Sequence, residues 1–136
     1  MAFSKPRLKI LIVDDCAVTR TLLGRLLEPY YVVATVAGAV DALELVKKEE
    51  NIDLFLLDVT MPEMDGLEFC RILRKSPKYR QVPVVVLTSR TKPFDRVQGA
   101  IAGATAYLTK PIQPSVVLKT LNRYLYPSTS QKLPSP

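Results

Sequence analysis

The sequence predicts an α/β fold in which parallel strands are covered by helices on both faces. Three observations carry that prediction. Segments of β-branched and aliphatic residues alternate along the chain with segments of helical apolar spacing. Two of the strand-like segments, Leu54–Leu57 and Val84–Leu87, are apolar without alternation, as strands buried on both faces are. The chain has 136 residues, room for one domain, and 48% of them are hydrophobic against 24% charged, the balance of a chain that buries a core.

The elements follow in order. Leu8–Val13 is rich in β-formers and stops at the acidic pair Asp14-Asp15. From Val18 to Leu27 the residues Val18, Leu22, Leu23, Leu26 and Leu27 fall at helical spacing, and Pro29 ends that helix. Val32–Val36 is a second strand, and Ala39–Glu49 a second helix with Ala39, Leu43 and Val46 on one face. Leu54–Leu57 is the third strand. Asp65–Lys75 follows as a helix with Phe69, Ile72 and Leu73 pointing inward. Val84–Leu87 is the fourth strand. Phe94–Ala102 is a weaker helix, because Gly99 inside it costs about 1 kcal/mol relative to Ala. Thr105–Leu108 is a short fifth strand. Pro114 opens a last helix, where proline is tolerated, with a core face of Val117, Leu118, Leu121 and Leu125.

Five such units with right-handed crossovers fit a flavodoxin-like doubly wound (βα)5 fold, its five parallel strands in the order 2-1-3-4-5. The predicted domain runs over residues 8–126, after an N-terminal extension at 1–7. The segment 127–136, with its prolines and serines and no periodicity, reads as a disordered tail.

Composition excludes several classes. No stretch reaches the roughly 18 apolar residues that span a bilayer, so no membrane insertion is expected. The basic start with Lys5, Arg7 and Lys9 leads into no signal-peptide core, which places the chain in the cytoplasm. Cys16 and Cys70 read as two reduced, partly buried thiols, not as a disulfide framework. There is no histidine, which excludes His-based metal sites and Ser-His or Cys-His catalysis. The net charge is +6, but the cations are scattered. The densest group, Arg71 to Arg80, covers a helix end and the following loop, where cations suit the helix dipole. It reads as solvated surface, with no direct contact to nucleic acid.

In doubly wound sheets ligands bind beyond the carboxyl ends of the strands. The first strand delivers Asp14 and Asp15 there, the third Asp58, the fourth Thr88, and the fifth Lys110 and Pro111. Taken singly, each has a plain reading: a helix cap, a loop hydroxyl, an exposed lysine before a proline. Their joint position at one end of four strands favours a site. Three carboxylates repel one another unless a hard dication sits among them. An all-oxygen set without His or Cys suits Mg²⁺ or Mn²⁺ over zinc. With Lys110 opposite, the arrangement is what transfer of a phosphoryl group to Asp58 requires: the metal neutralises charge, Lys110 pairs with a phosphate oxygen, and Asp58 is the nucleophile.

Four segments in order, Ile12-Val13-Asp14-Asp15, Leu57–Gly66, Val86-Leu87-Thr88-Ser89 and Tyr107–Pro111, resemble the receiver domains of two-component response regulators, of the CheY-like kind, from about Leu8 to Leu125. The resemblance implies a role for each position. Asp58 matches the phosphorylated aspartate, Asp15 the direct metal ligand, Asp14 the acid that helps hold the metal, and Thr60 the residue whose backbone carbonyl ligates it. Thr88 matches the hydroxyl that moves toward the phosphoryl oxygen, Lys110 the phosphate-pairing lysine, and Tyr107 the aromatic that swings inward when the threonine moves. The Lys110–Pro111 bond is expected to be cis, a form accessible only before proline. The surface of the fourth helix, fifth strand and fifth helix then changes, and a partner reads it.

Some positions depart from the family pattern. Cys16 stands where a capping Ser, Asp or Asn is common. The resemblance implies that Thr60 and Arg90 flank the path of the hydrolytic water, at positions that tune dephosphorylation in the family. The segment Thr91–Gly99 followed by Ala102-Gly103 has a weaker resemblance to regulators of twitching, gliding and phototaxis.

The expected partners are a sensor histidine kinase or phosphotransfer protein, since the chain has no histidine of its own, and a downstream protein target; a homodimer is compatible with the same face. Beyond self-phosphorylation and autodephosphorylation no enzymatic activity is expected. Two alternatives stand beside this reading: the receiver part of a larger DNA-binding transcription regulator, and a pseudo-receiver that works without phosphorylation. A flavin binder would carry a Ser/Thr/Gly loop where Asp14-Asp15-Cys16 stands. An aspartyl-phosphate hydrolase would carry an acid where Thr60 stands.

Overall fold

The computed structural model describes residues 7–48, 50–59, 64–89 and 102–126. Five strands, β1 (Lys9–Val13), β2 (Val32–Val36), β3 (Leu54–Asp58), β4 (Val84–Ser89) and β5 (Ala106–Lys110), form one parallel sheet in the order β2-β1-β3-β4-β5. Four helices are described: α1 (Ala17–Leu27), α2 (Ala39–Lys47), α3 (Gly66–Lys75) and α4 (Pro114–Leu125). Apart from Ala102, the helix predicted at Phe94–Ala102 lies outside the described residues, as do the tail 127–136 and residues 1–6. No helix among the described residues is long and apolar enough to cross a membrane.

The period-2 alternation of the strands builds two cores, one on each face of the sheet. Leu11, Val13, Phe55, Leu57, Val84 and Val86 face α2 and α3, where they meet Ala39, Ala42, Leu67, Phe69, Cys70 and Leu73. Ile10, Ile12, Leu54, Leu56, Val85 and Leu87 face α1 and α4, where they meet Leu23, Leu27, Val117 and Leu121. These side chains are buried, each worth about 1.5–3 kcal/mol by removal from water for the larger aliphatics. That burial holds the central strands in register, and the register sets the site: Val13 pairs with Val36 and Leu57, Asp58 with Leu87, and Thr88 with Thr109.

Several expectations need correction. On α1, Val18 is 67% and Leu22 59% exposed: the sheet covers the Leu23–Leu27 row, and the neighbouring row faces outward. Ile72 is 36% exposed, because the buried face of α3 runs through Gly66, Phe69, Cys70 and Leu73, and Ile72 lies about 100° round the helix from Leu73. The thiols are not both partly buried: Cys70 is buried on that face and Cys16 is exposed, and both are free. The strands β3, β4 and β5 also run further toward their carboxyl ends than predicted, to Asp58, Ser89 and Lys110. Polar residues weaken the strand signal there, but the ladder continues through them.

Arg74 is not solvated surface. Its guanidinium donates to the carbonyls of Gly103 (2.8 Å), Val82 (2.7 Å), Tyr79 (3.1 Å) and Arg80 (3.2 Å), and to Thr105 Oγ1 (3.3 Å). Thr105 Oγ1 accepts in turn from the Val84 amide at 2.9 Å. Gly103 has φ of 97°, a conformation that suits glycine, and its bare Cα leaves room for the Arg74 stem. One cation thus ties the end of α3, the following loop and the entry to β5 together.

Candidate functional site

The site is built from the carboxyl end of the sheet. Asp14 directly follows β1 and is wholly buried. Its amide donates to the Val36 carbonyl at 3.2 Å, its Oδ1 accepts from the Cys16 amide at 2.8 Å, and its carbonyl accepts from Arg20 Nη1 at 2.7 Å. Its remaining oxygen, Oδ2, pairs with Lys110 Nζ at 3.6 Å and has no closer polar partner among the described residues. Asp58 ends β3 at 6% exposure, with Oδ1 3.4 Å from the same ammonium. Asp15 is exposed beside them. Each of Asp14, Asp15 and Asp58 offers a carboxylate oxygen, and the three lie within 4.8 Å of one another.

The electrostatics are those of an anionic cluster that pairs, among the described residues, with the Lys110 ammonium. Burial works against the charge on Lys110, but Asp58 and Asp14 outweigh it by charge and hydrogen bonding, so its pKa lies above the ordinary lysine value. One ammonium leaves three carboxylates incompletely neutralised. A wholly buried carboxylate oxygen held by one ion pair at 3.6 Å is only partly compensated, and a cation within the cluster would complete it. An all-oxygen donor set of this kind fits Mg²⁺ or Mn²⁺.

The start of α3 is pressed against the exit of β3. Asp65 caps the helix, its side chain accepting from the Glu68 amide at 2.8 Å. The Gly66 amide donates to the Val59 carbonyl at 2.9 Å, and a Cβ at residue 66 would run into the carbonyl oxygen of Asp58. Glycine is therefore required beside the aspartate, a role that sequence reasoning missed although the pair Asp65-Gly66 at a helix start signals it.

Thr88 is buried on β4, one residue beyond the Leu87 that pairs with Asp58, and beside Thr109 of β5. Tyr107 is half-buried on β5 and packs against the core under α2 and α3. The Lys110–Pro111 peptide bond is cis. Cys16 occupies the N-cap position of α1 and makes no side-chain cap hydrogen bond. Thr60 and Arg90 lie outside the described residues. The structure thus brings Asp14, Asp15, Asp58 and Lys110 together and leaves Tyr107 outside that cluster. It adds Arg20 and Gly66, neither of which sequence reasoning had assigned to the site.

Residues 10–122 match the family of the response regulator receiver domain. The chain is 39% identical to Response regulator PleD of Caulobacter vibrioides over 85% of its own length and 26% of that protein, so it spans about a quarter of that relative. It superposes on the chemotaxis protein CheY4 of Vibrio cholerae with a TM-score of 0.82 at 37% identity, covering 88% of this chain and 99% of that one. It also superposes on the receiver domain of the sensor histidine kinase PA1611 of Pseudomonas aeruginosa, whose structure has a magnesium ion coordinated in the active-site cleft. There the TM-score is 0.79 at 29% identity, covering 89% of this chain and 98% of that one. With the order of the sheet and the acidic cluster at its carboxyl edge, these likenesses establish that the chain belongs to the receiver-domain family of two-component response regulators.

Proposed function

We propose that this receiver is a phospho-accepting switch of a two-component phosphorelay, with Asp58 as the acceptor. The observation that carries the reading is the meeting of three carboxylates within 4.8 Å with Lys110 Nζ 3.4 Å from Asp58 Oδ1. The magnesium in the related PA1611 receiver supports Mg²⁺, or Mn²⁺, as the cofactor. Asp14, Asp15 and Asp58 would hold it, with the backbone carbonyl of Thr60. When bound, the ion supplies neutralisation of the charge that develops on the transferring phosphoryl oxygens.

An Asp58 carboxylate oxygen forms a bond to phosphorus as the bond from phosphorus to the donor, a phosphohistidine of a kinase or phosphotransfer protein, breaks. Lys110 moves from pairing with the carboxylate to pairing with a phosphoryl oxygen. The added charge and acceptor oxygens draw the Thr88 hydroxyl inward, and Tyr107 follows into the space. The change is read by a protein partner on the face carried by β5 and α4. Hydrolysis of the acyl phosphate returns Asp58 and inorganic phosphate, at a rate that Thr60 and Arg90 tune.

The test is ¹⁹F NMR of the chain with Mg²⁺ and beryllium fluoride, which occupies the place of a phosphoryl group on a carboxylate. Protein-bound resonances are expected in wild type and not in Asp58→Ala. Their absence from wild type contradicts the reading.

A further inference from the structure

Every polar atom of Asp14 except Oδ2 is held: the amide by Val36, Oδ1 by the Cys16 amide, and the carbonyl by Arg20 Nη1 at 2.7 Å. Of these three, only the Arg20 contact comes from a side chain. It reaches back from the first turns of α1, as long side chains on a helix do. Its position is otherwise unfavourable. A cation near a helix N-terminus opposes the helix dipole, and it also adds like charge close to a cluster suited to a cation. Such a residue needs a compensating contact, and the Asp14 carbonyl is that contact.

The carbonyl of Asp14 belongs to the peptide that joins it to Asp15. Fixing it fixes the plane of that peptide and the place of the Asp15 Cα from which the second carboxylate starts. Cys16 at the N-cap makes no side-chain cap hydrogen bond, so the Arg20 contact adds to the Val36 and Cys16 backbone bonds that hold this turn. The partly buried Arg20 also lines the cleft of about 410 Å³ between α1 and β2, where Arg25 is exposed. Arg25 therefore offers a neighbouring arginine on the same helix for comparison.

We infer that Arg20 is a positioning residue for the acidic pair: it holds the Asp14–Asp15 turn so that both carboxylates face the Asp58 cluster, and so raises the affinity of the site for Mg²⁺ despite its own positive charge. The inference rests on the reading of Asp14, Asp15 and Asp58 as a metal site. Charge and positioning predict opposite signs. If Arg20 acted only as a charge, its removal would tighten Mg²⁺ binding; if it positions the turn, removal weakens binding.

The experiment is calorimetric titration of the full chain with MgCl₂, for wild type, Arg20→Met, Arg20→Lys and Arg25→Met, with thermal unfolding in EDTA as the check on folding. Arg20→Met is expected to weaken Mg²⁺ binding about tenfold, the lower end for partners that orient metal ligands. Arg20→Lys is expected to fall between it and wild type, and Arg25→Met to bind as wild type or slightly tighter. An Arg20→Met protein that is folded and binds as tightly as wild type, or tighter, overturns the inference and leaves the metal site standing. If Arg20→Met does not fold, Arg20→Lys carries the test, and a wild-type affinity there overturns it. Failure of wild type itself to bind Mg²⁺ overturns both the inference and the reading beneath it.

Discussion

Lys110 places its Nζ 3.4 Å from Oδ1 of Asp58, across the gap between the ends of β5 and β3, with β4 between them in the sheet. The same ammonium lies 3.6 Å from Asp14 Oδ2, so one positive charge is shared between two buried acids. Replacing it with methionine is expected to have two effects of opposite sign. Phosphorylation of Asp58 by a small donor should slow about 100-fold, the scale for loss of a preorganised charge at a transition state. Mg²⁺ should bind more tightly, because a competing cation has gone. Stopped-time phosphorylation assays and calorimetry check the two halves separately.

Gly66 fixes how closely α3 approaches the acceptor strand. Gly66→Ala puts a Cβ against the Asp58 carbonyl oxygen, and relief requires the helix start to move. The expected cost is about 1–3 kcal/mol, as for overpacking of a tight site, read from the urea midpoint. A neutral outcome would mean that the helix and strand separate more easily than the close fit implies.

Arg74→Ala removes five hydrogen bonds, four of them to backbone carbonyls. A loss of about 2–4 kcal/mol is expected, since bonds to charged groups are worth about 1.5–3 kcal/mol each and are not additive. Arg74→Lys should rescue little, because one ammonium cannot span contacts that a planar guanidinium reaches together. Arg71→Ala, on the exposed side of the same helix, should stay within about 0.5 kcal/mol. Urea denaturation of the three variants compares them.

Tyr31 buries its hydroxyl under α1 and α4 with no hydrogen bond among the described residues, and burial with the neighbouring Tyr126 pushes its pKa up from 10.0 to about 12. The unfolded chain therefore releases this proton before the folded chain does. The contribution of the neutral phenol is fully present below pH 10 and is lost as pH rises from there through about 12. Tyr31→Phe should be neutral or stabilising at pH 7, because it removes a buried polar atom that lacks a partner. It should also flatten the loss of stability above pH 10. Thermal unfolding across pH 7 to 11 shows whether it does.

Much of this was legible in the sequence because the signals were strong and local. The unbroken apolar runs at Leu54 and Val84 mark strands buried on both faces, and those strands carry Asp58 and Thr88 to one edge. Asp14, Asp58 and Lys110 were legible for the same reason: each stands at or just past a strand end. What was not legible depends on partners distant in sequence. Helical spacing alone does not say which of two adjacent apolar rows the sheet will cover: Val18 and Leu22 share the spacing of Leu23 and Leu27 and are exposed. A lone arginine in a basic stretch carries no mark of the carbonyls it will meet, so Arg74 read as surface. Arg20 and Gly66 act through backbone atoms, which no residue-type pattern displays.

Whether Asp58 accepts a phosphoryl group is read from intact mass after incubation with acetyl phosphate and Mg²⁺, for wild type and Asp58→Ala, with EDTA as control. A gain of about 80 Da, the mass of one phosphoryl group, in wild type alone and abolished by EDTA is the predicted result. No gain in wild type, or an equal gain in Asp58→Ala, would contradict it.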